Sequence, residues 1–389
     1  MVKKEALINN NIDDLKRLSN YKKEETPKTL RRAQGQVDYL IIGQGISGTW
    51  LSYYLQQEGR SFSVIDNHDK NSASRLAAGI INPVTGRRHV KVWMADEILP
   101  FAQKAYAQLG NELGLTAISQ KNIIDFFPGP QMRVSFMQRV EEKAEYVYDC
   151  VEHDHYRRFF NYDFGCGEIK PVYTVHLETL LPAWRQQLLE KDLLIEAEFE
   201  LSQLNVTPGK IEYNDITAGK IIFCDGPGCT ANPYFDLLPF APNKGELLIV
   251  SIPDLPPENI YKKGMMLAPL ATPGLWWVGS SYAWEFDQPD PTPAFRERTE
   301  ALLKQWLKIP FTIEEHLAGI RPATLERRPF AGLHPLHAEI GILNGMGTKG
   351  CSLAPFFAKQ LADHLCHGKQ IDPDADIVRF RKILSRKNP

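Results

Sequence analysis

Val37-Asp38-Tyr39-Leu40-Ile41-Ile42-Gly43-Gln44-Gly45-Ile46-Ser47-Gly48 is the stretch that decides how this chain folds. Its first six residues are mostly apolar and suit a short strand buried in a parallel sheet, which Gly43 stops. Ile46, Trp50, Tyr53, Tyr54 and Gln57 then recur at helical spacing, and Gly59 closes the helix before a second strand over residues 61–65. The order is βαβ, and each glycine has its own task in it. Gly43 permits the tight turn, Gly45 lets a pyrophosphate approach the backbone, and Gly48 lets helix and strand pack closely. The turn residues Gln44, Ile46 and Ser47 bring free N–H groups and the positive helix end to the same point, where phosphate is favoured. Asp66, followed by Asn67, ends the second strand where a carboxylate accepts hydrogen bonds from an adenosine ribose, which favours a dinucleotide without a 2′-phosphate. A bare Gly-x-Gly-x-x-Gly also occurs in turns that bind nothing. The strand, helix and acid in the right order weigh against that reading here.

The chain has 389 residues, more than one compact core usually holds, so two lobes are expected. Hydrophobic residues make up 43% and charged ones 24%, ordinary values for a globular body. A formal net charge of -2 gives no general attraction to nucleic acid or anionic membrane and favours small-molecule chemistry. Cys150, Cys166, Cys224, Cys229, Cys351 and Cys366 include no C-x-x-C pair and read as reduced buried thiols of a cytoplasmic protein. No apolar run reaches transmembrane length, and no signal peptide is visible. Residues 1–36 are polar and poor in large apolar side chains, and are expected to be an extension with at most a short helix over residues 12–18.

Beyond the opening unit, helices are predicted over residues 92–113, 176–191, 294–307 and 353–366. Strands are predicted at residues 194–198, 211–213, 221–224, 246–251, 265–270, 275–282 and 340–344, the middle ones separated by Pro and Gly turns as in an antiparallel sheet. The fold class expected is α/β, a Rossmann-like lobe joined to a second lobe built on an antiparallel sheet covered by helices.

The fingerprint does not separate FAD from NAD. The segment after the second strand does, because a plain Rossmann dehydrogenase continues βαβ, whereas this chain runs on as Asn71-Ser72-Ala73-Ser74-Arg75-Leu76-Ala77-Ala78-Gly79-Ile80-Ile81-Asn82-Pro83. Small residues such as Ser74, Ala78 and Gly79 in an irregular segment suit close contact with a planar ring and its ribityl chain. This segment resembles the S-x-x-x-A-G-G-x-x-x-P region of the D-amino-acid oxidase-like flavoenzymes, the family of glycine oxidase, sarcosine oxidase and D-amino-acid dehydrogenases. Ile221-Ile222-Phe223-Cys224-Asp225-Gly226-Pro227-Gly228 resembles the family's apolar strand ending in Ala-x-Gly, with Cys224 and Asp225 in unusual places. Gly319-Ile320-Arg321-Pro322 is similar to its G-x-R-P motif. Leu343-Asn344-Gly345-Met346-Gly347-Thr348-Lys349-Gly350-Cys351-Ser352-Leu353-Ala354-Pro355 resembles its glycine-rich segment before the last helix.

The resemblance implies an enzyme holding FAD and oxidising the C–N bond of a small amine or amino acid by hydride transfer, with the imine then hydrolysed and the electrons passed to oxygen, a quinone or another carrier. It implies that Arg321 grips the substrate carboxylate with a bidentate fork, although a lone Arg is more often ion-paired or solvated. Residues 345–350 lie before a helix, and the N–H groups of a helix start stabilise the negative charge that develops on a reduced flavin. Lys349 adds a full charge there if it is not simply a surface lysine, and Pro355 is expected in the first turn, where the missing N–H costs little.

Gly86-Arg87-Arg88-His89 can bring cations near the substrate or can be a solvated cluster, and Trp276, Trp277, Tyr282 and Trp284 can wall the ring or fill a core. No Cys follows the G-x-R-P region before Cys351, so the flavin is expected to be noncovalent. No grouping has convincing metal-ligand spacing, His334 with His337 included. The expected division assigns residues 37–90, 168–233 and 318–389 to the FAD lobe and residues 91–167 and 234–317 to the substrate lobe. Two rivals stand beside this reading: a flavoenzyme acting on a modified tRNA base, disfavoured by the near-neutral charge, and a non-catalytic flavin-binding regulator.

Overall fold

The computed structural model describes residues 35–386, so the short helix expected over residues 12–18 lies outside the described residues. The opening strand begins at Gly35, two residues before the apolar run, and pairs in parallel with Phe62–Ile65 on one side and Ile216–Phe223 on the other. Leu194–Ile195 extends the sheet beyond Phe62–Ile65, again in parallel, and Ile340–Asn344 joins Ile216–Phe223. The fingerprint strand thus lies in the middle of the sheet, which is why Leu40 and Ile41 are fully buried on opposite faces. An antiparallel hairpin, Leu204–Thr207 and Lys210–Tyr213, finishes one edge.

The helices Ile46–Gln57, Ala95–Leu113, Leu177–Glu190 and Gly350–His367 contribute to the core on one face of this sheet. Trp50 is fully buried there, edge-on to Tyr106 with ring centroids 4.9 Å apart. The opposite face is covered by Phe235, Leu238, Ile377, Phe380 and Leu384. The helix expected from residue 92 starts at Ala95, because Met94 takes the left-handed conformation at its N-cap; Gly114, at φ +68°, ends it. The last helix starts at Gly350, three residues earlier than expected. Pro355 therefore falls in the second turn, not the first, and leaves the Cys351 carbonyl without its usual intrahelical donor.

The second sheet has eight strands, and its central part is antiparallel: Thr312–Arg321, Asn243–Ser251, Leu275–Gly279, Met265–Pro269 and Ile260–Lys263 in spatial order. Ile123–Phe126, Cys166–Ile169 and Val147–Asp149 extend it. The strand expected to reach residue 282 stops at Gly279. Thr312–Arg321 belongs wholly to this sheet and runs through residue 318, and Cys166–Ile169 runs likewise through residue 168. The chain is thus an α/β protein with a Rossmann-like lobe and a second, antiparallel lobe.

The closest backbone approach in the opening unit is at Gly48, where an added Cβ would lie 1.9 Å from the Gly43 carbonyl oxygen. Only backbone could give way. Gly48→Ala is expected to lower unfolding stability by about 1–3 kcal/mol, the range for overpacking a tight contact. Urea denaturation checks it, and an unchanged midpoint would show that helix and strand separate freely.

Candidate functional site

A cleft of about 1130 Å³ opens between the ends of the two sheets. Of the residues singled out in the sequence, Gly43, Gly45, Ile46, Ser47, Asp66, Asn67, Ser74, Ala78, Gly79, Gly226, Arg321, Met346, Gly347, Thr348, Lys349 and Gly350 all line it, which brings six separated stretches to one place. Gln44, Gly48 and Gly345 do not line it. Gly48 is consumed by the helix–strand contact, and Gly345 turns the chain at φ +76° against Thr324 and Phe330. The Gln44 side chain points inward, donating to Thr49 Oγ1 and the Leu181 carbonyl.

The turn is held by side chains from other segments. Ser74 Oγ accepts the Ile46 N–H at 2.9 Å, tying the irregular segment to the start of the fingerprint helix. A Cβ on Gly45 would come within 3.0 Å of that oxygen. Asp66 Oδ2 accepts the Gln44 N–H at 2.8 Å, and Oδ1 accepts from the His68 N–H and from Arg185 at 2.7 Å. Burial alone would raise the Asp66 carboxyl. The Gln44 N–H, Arg75 and Arg185 outweigh burial and hold it below its ordinary value. Arg185 sits on a helix more than a hundred residues away, and no local pattern announces it. Its other side reaches Glu196 at 2.8 Å.

On the facing sheet Arg321 ends its strand at the cleft. Nη1 donates to Asn243 Oδ1 at 2.6 Å and the Ser281 carbonyl at 3.3 Å, and Nη2 donates to Ser280 Oγ at 2.7 Å. The Tyr282 ring lies 4.8 Å from the guanidinium carbon. Among the described residues no carboxylate comes within 4.0 Å of it. Burial pushes its pKa below the ordinary arginine value, so the group is a desolvated cation with only neutral partners. Room for it comes from Gly245, where a Cβ would stand 1.8 Å from Nη2. Gly245 was invisible as a functional position, because a glycine near a strand start reads as a turn.

Lys349 is the N-cap of the last helix and has no side-chain capping bond. Burial first, and then the charges of Arg328 and Arg327, lower its pKa. Its carbonyl accepts the Ser352 and Leu353 N–H groups, and among the described residues the Gly350 and Cys351 N–H groups have no backbone acceptor.

The basic cluster separates. Arg87 and Arg88 are exposed and stand away from the cleft, whereas His89 is buried with Nε2 3.0 Å from Asp125 Oδ2. The aromatic residues separate too, by strand alternation: Trp277 lines the cleft, while Trp276 points into the core on the other face. Tyr282 lines the cleft from its exposed rim; Trp284 is exposed and outside it. His334 and His337 lie with ring centroids 4.9 Å apart and their planes tilted by 38°.

Asp225, at the unusual position after the strand Ile216–Phe223, also lines the cleft. Oδ1 accepts the Cys229 thiol at 2.6 Å and Asn344 Nδ2 at 3.3 Å. Burial raises its pKa to about 6.

The chain belongs to the DAO family, described as FAD dependent oxidoreductase, whose model matches residues 38–364. FAD is the cofactor of that family, and the chain is a flavoenzyme. It is 22% identical over 376 residues to glycine oxidase of Bacillus subtilis (strain 168), covering 86% of this chain and 94% of that protein. The crystal structure of glycine oxidase from Bacillus cereus ATCC 14579 superposes with a TM-score of 0.72 at 19% identity, over 87% of this chain and 99% of that one. A shorter match, 35% identical over 101 residues, is to the tRNA 5-methylaminomethyl-2-thiouridine biosynthesis bifunctional protein MnmC of Marinobacter nauticus (strain ATCC 700491 / DSM 11845 / VT8), covering 23% of this chain and 16% of that protein. No helix among the described residues is long and apolar enough to cross a membrane.

The raised Asp225 pKa has a sign that can be checked. The folded chain holds the proton up to about pH 6 and the unfolded chain only to about 3.8, so stability is lost as pH rises through that window and stays lost above it. Asp225→Asn removes the loss. Because the carboxyl meets solvent in the cleft, flavin-free protein should gain about 1–3 kcal/mol near pH 8 and almost nothing near pH 4. An equal effect at both pH values in denaturant titrations would show that the carboxyl is not held protonated.

Proposed function

We propose that this flavoenzyme oxidises the C–N bond of a small amine or amino acid that carries a carboxylate. The observation that carries the reading is Arg321, a desolvated guanidinium at the cleft with neutral partners and no carboxylate of its own. A substrate carboxylate completes it with charge-assisted hydrogen bonds, each worth about 1.5–3 kcal/mol. The similarity to glycine oxidase agrees with this substrate class.

In this reading the Gly45 and Ser47 N–H groups hold the FAD pyrophosphate, since those of Gly43, Gln44 and Ile46 are taken by the Ile65 carbonyl, Asp66 and Ser74, and Asp66 Oδ2, which among the described residues accepts only the Gln44 N–H, takes a ribose hydroxyl beside Asn67. Ser74, Ala78, Gly79 and Gly226 flank the cofactor. Bound FAD supplies the two-electron acceptor, and the oxidised substrate leaves as an imine that water hydrolyses. The turn that leads into the last helix supplies the Met346, Thr348 and Gly350 N–H groups, which have no partner among the described residues, and the Lys349 charge where negative charge builds up. The FAD is noncovalent: Cys224 and Cys351 line the cleft, but burial pushes the first thiol well up and the second to about 12, which leaves neither nucleophilic. In this reading the FAD side and the substrate side depart from the expected chain division at Ala95–Leu113, which packs on the first sheet, and at residues 168 and 318, which second-sheet strands run across, so that Arg321 reaches the FAD side on a strand of the substrate sheet.

Anaerobic titration of the yellow protein with glycine, sarcosine, proline and D-amino acids is expected to bleach the flavin with at least one of them, and denaturation to release all the FAD. Arg321→Lys keeps a charge but loses the planar fork. It should bind that substrate about 1.5–3 kcal/mol more weakly at unchanged FAD content. Flavin loss with normal carboxylate binding would make Arg321 a cofactor residue. Bleaching only by RNA bearing a carboxymethylaminomethyl base would favour the tRNA reading that the short match supports, and no bleaching by any amine would favour a regulator.

A further inference from the structure

Cys150 and His153 are three residues apart and Cys166 lies thirteen further on, and none of them lines the flavin cleft. The second sheet brings them together. Its edge strands pair Val147 with Ile169, Tyr148 with Glu168 and Asp149 with Gly167, so one more step of the same register sets Cys150 opposite Cys166. Between them the chain leaves the sheet as a turn and a short helix, His153–Tyr156, whose first residue returns its imidazole to the two thiols. That turn is fastened by the Tyr162 hydroxyl, which donates to the His153 carbonyl at 2.8 Å. Gly165, at φ +84°, lies beside the ring, where a Cβ would be 3.6 Å from Cε1.

We infer that Cys150, His153 and Cys166 form a zinc site with water as the fourth ligand. Each residue offers one ligand atom, and the three atoms lie within 4.8 Å of one another. His153 Nδ1 is 3.5 Å from Cys166 Sγ. A tetrahedral Zn²⁺ with Zn–S about 2.3 Å and Zn–N about 2.0–2.1 Å sets its S and N ligands about 3.5 Å apart, so this edge already has the length the ion needs. Two thiols and an imidazole with no carboxylate among them suit a borderline-soft d¹⁰ ion and do not suit magnesium or calcium.

Burial supports the same choice. Cys150 is 5% and Cys166 1% exposed, packed with Phe126, Tyr156 and Tyr162, whereas His153 is half-buried and leaves one side open to a water ligand. Both cysteines are free thiols. On binding, each thiol gives its proton to solvent and the imidazole donates its Nδ1 lone pair, so one Zn²⁺ enters and two H⁺ leave. The ion adds one more tie to a connection that already packs Tyr156, Phe160 and Tyr162 into the core and bonds Asn161 to the Trp306 carbonyl.

The test uses the FAD-bound protein, stripped with a chelator and titrated with Co²⁺. Tetrahedral cobalt–thiolate d–d bands, on the red side of the flavin absorption, should grow to one equivalent and vanish when one equivalent of Zn²⁺ is added. Zinc-loaded protein should keep one zinc per chain through gel filtration, by elemental analysis. Cys150→Ser and Cys166→Ser should each abolish retention, and Cys366→Ser should not. If a buried serine prevents folding, the half-buried His153→Ala serves instead, and should lose the zinc while keeping its FAD. A wild-type chain with no cobalt bands and no retained zinc would overturn the site. So would a Cys150–Cys166 disulfide in the peptide map of unreduced protein, or zinc retained unchanged by all three ligand variants.

Discussion

The close approach of the fingerprint helix to the opening strand is the constraint on which the cleft depends. With Gly48 against the Gly43 carbonyl, the helix start is driven up to the end of the parallel strands, and of the turn's N–H groups those of Gly45 and Ser47 are left without a partner among the described residues. Three fastenings keep it there: Asp66 on the Gln44 N–H, Ser74 on the Ile46 N–H, and Arg185 spanning Asp66 and Gln44. A looser turn would place the same donors in the wrong plane for a phosphate. The buried ion pairs around Asp66 therefore matter for orientation more than for net stability, since the gain from pairing charges is largely offset by their desolvation.

The facing wall solves a different problem with the same means. An antiparallel sheet ordinarily presents a full layer of side chains, but here Gly245 and Gly319 are opposite each other in the pairing and Gly279 faces Leu247. Their missing side chains lower the floor, and the Arg321 guanidinium lies over Gly245. Arg321 and Lys349 both meet the cleft with no carboxylate within 4.0 Å among the described residues. Two desolvated cations and the few N–H groups left without a partner among the described residues, those of Gly45, Ser47, Met346, Thr348 and Gly350, give the cleft a positive character that the chain's near-neutral overall charge conceals.

How much of this was legible depended on whether the signal was local. The strand, turn and helix from Val37 to Gln57 could be read because periodicity and glycine spacing are properties of adjacent residues. The ends of elements were less legible: the last helix begins at Gly350 because the backbone, not the apolar pattern, decides where helical φ and ψ start. Long-range partners were not legible at all. Arg185 looks like any polar residue of an amphipathic helix, and Asn243 and Ser280 like any strand-end residues, until the fold brings them to Asp66 and Arg321. His89 shows the reverse, since a residue in a basic run proves to be buried against Asp125. Cys150 and His153 are close in sequence, but Cys166 joins them through sheet register and not through a motif spacing, which is why the three carried no metal signal.

The central claim is that the Arg321 cation, seated over Gly245, faces the bound flavin and takes a carboxylate. The most direct measurement is a difference-absorption titration of the FAD-bound protein with a simple carboxylate such as acetate or benzoate, in the wild type and in Gly245→Ala. The added Cβ would meet the movable end of the arginine side chain, so the variant should fold and retain FAD but hold the guanidinium elsewhere. The account predicts a saturating perturbation of the flavin band in the wild type and at least about tenfold weaker binding in Gly245→Ala, the loss of one charged hydrogen bond. A wild-type spectrum that no carboxylate perturbs, or a perturbation that persists unweakened in Gly245→Ala, would contradict it.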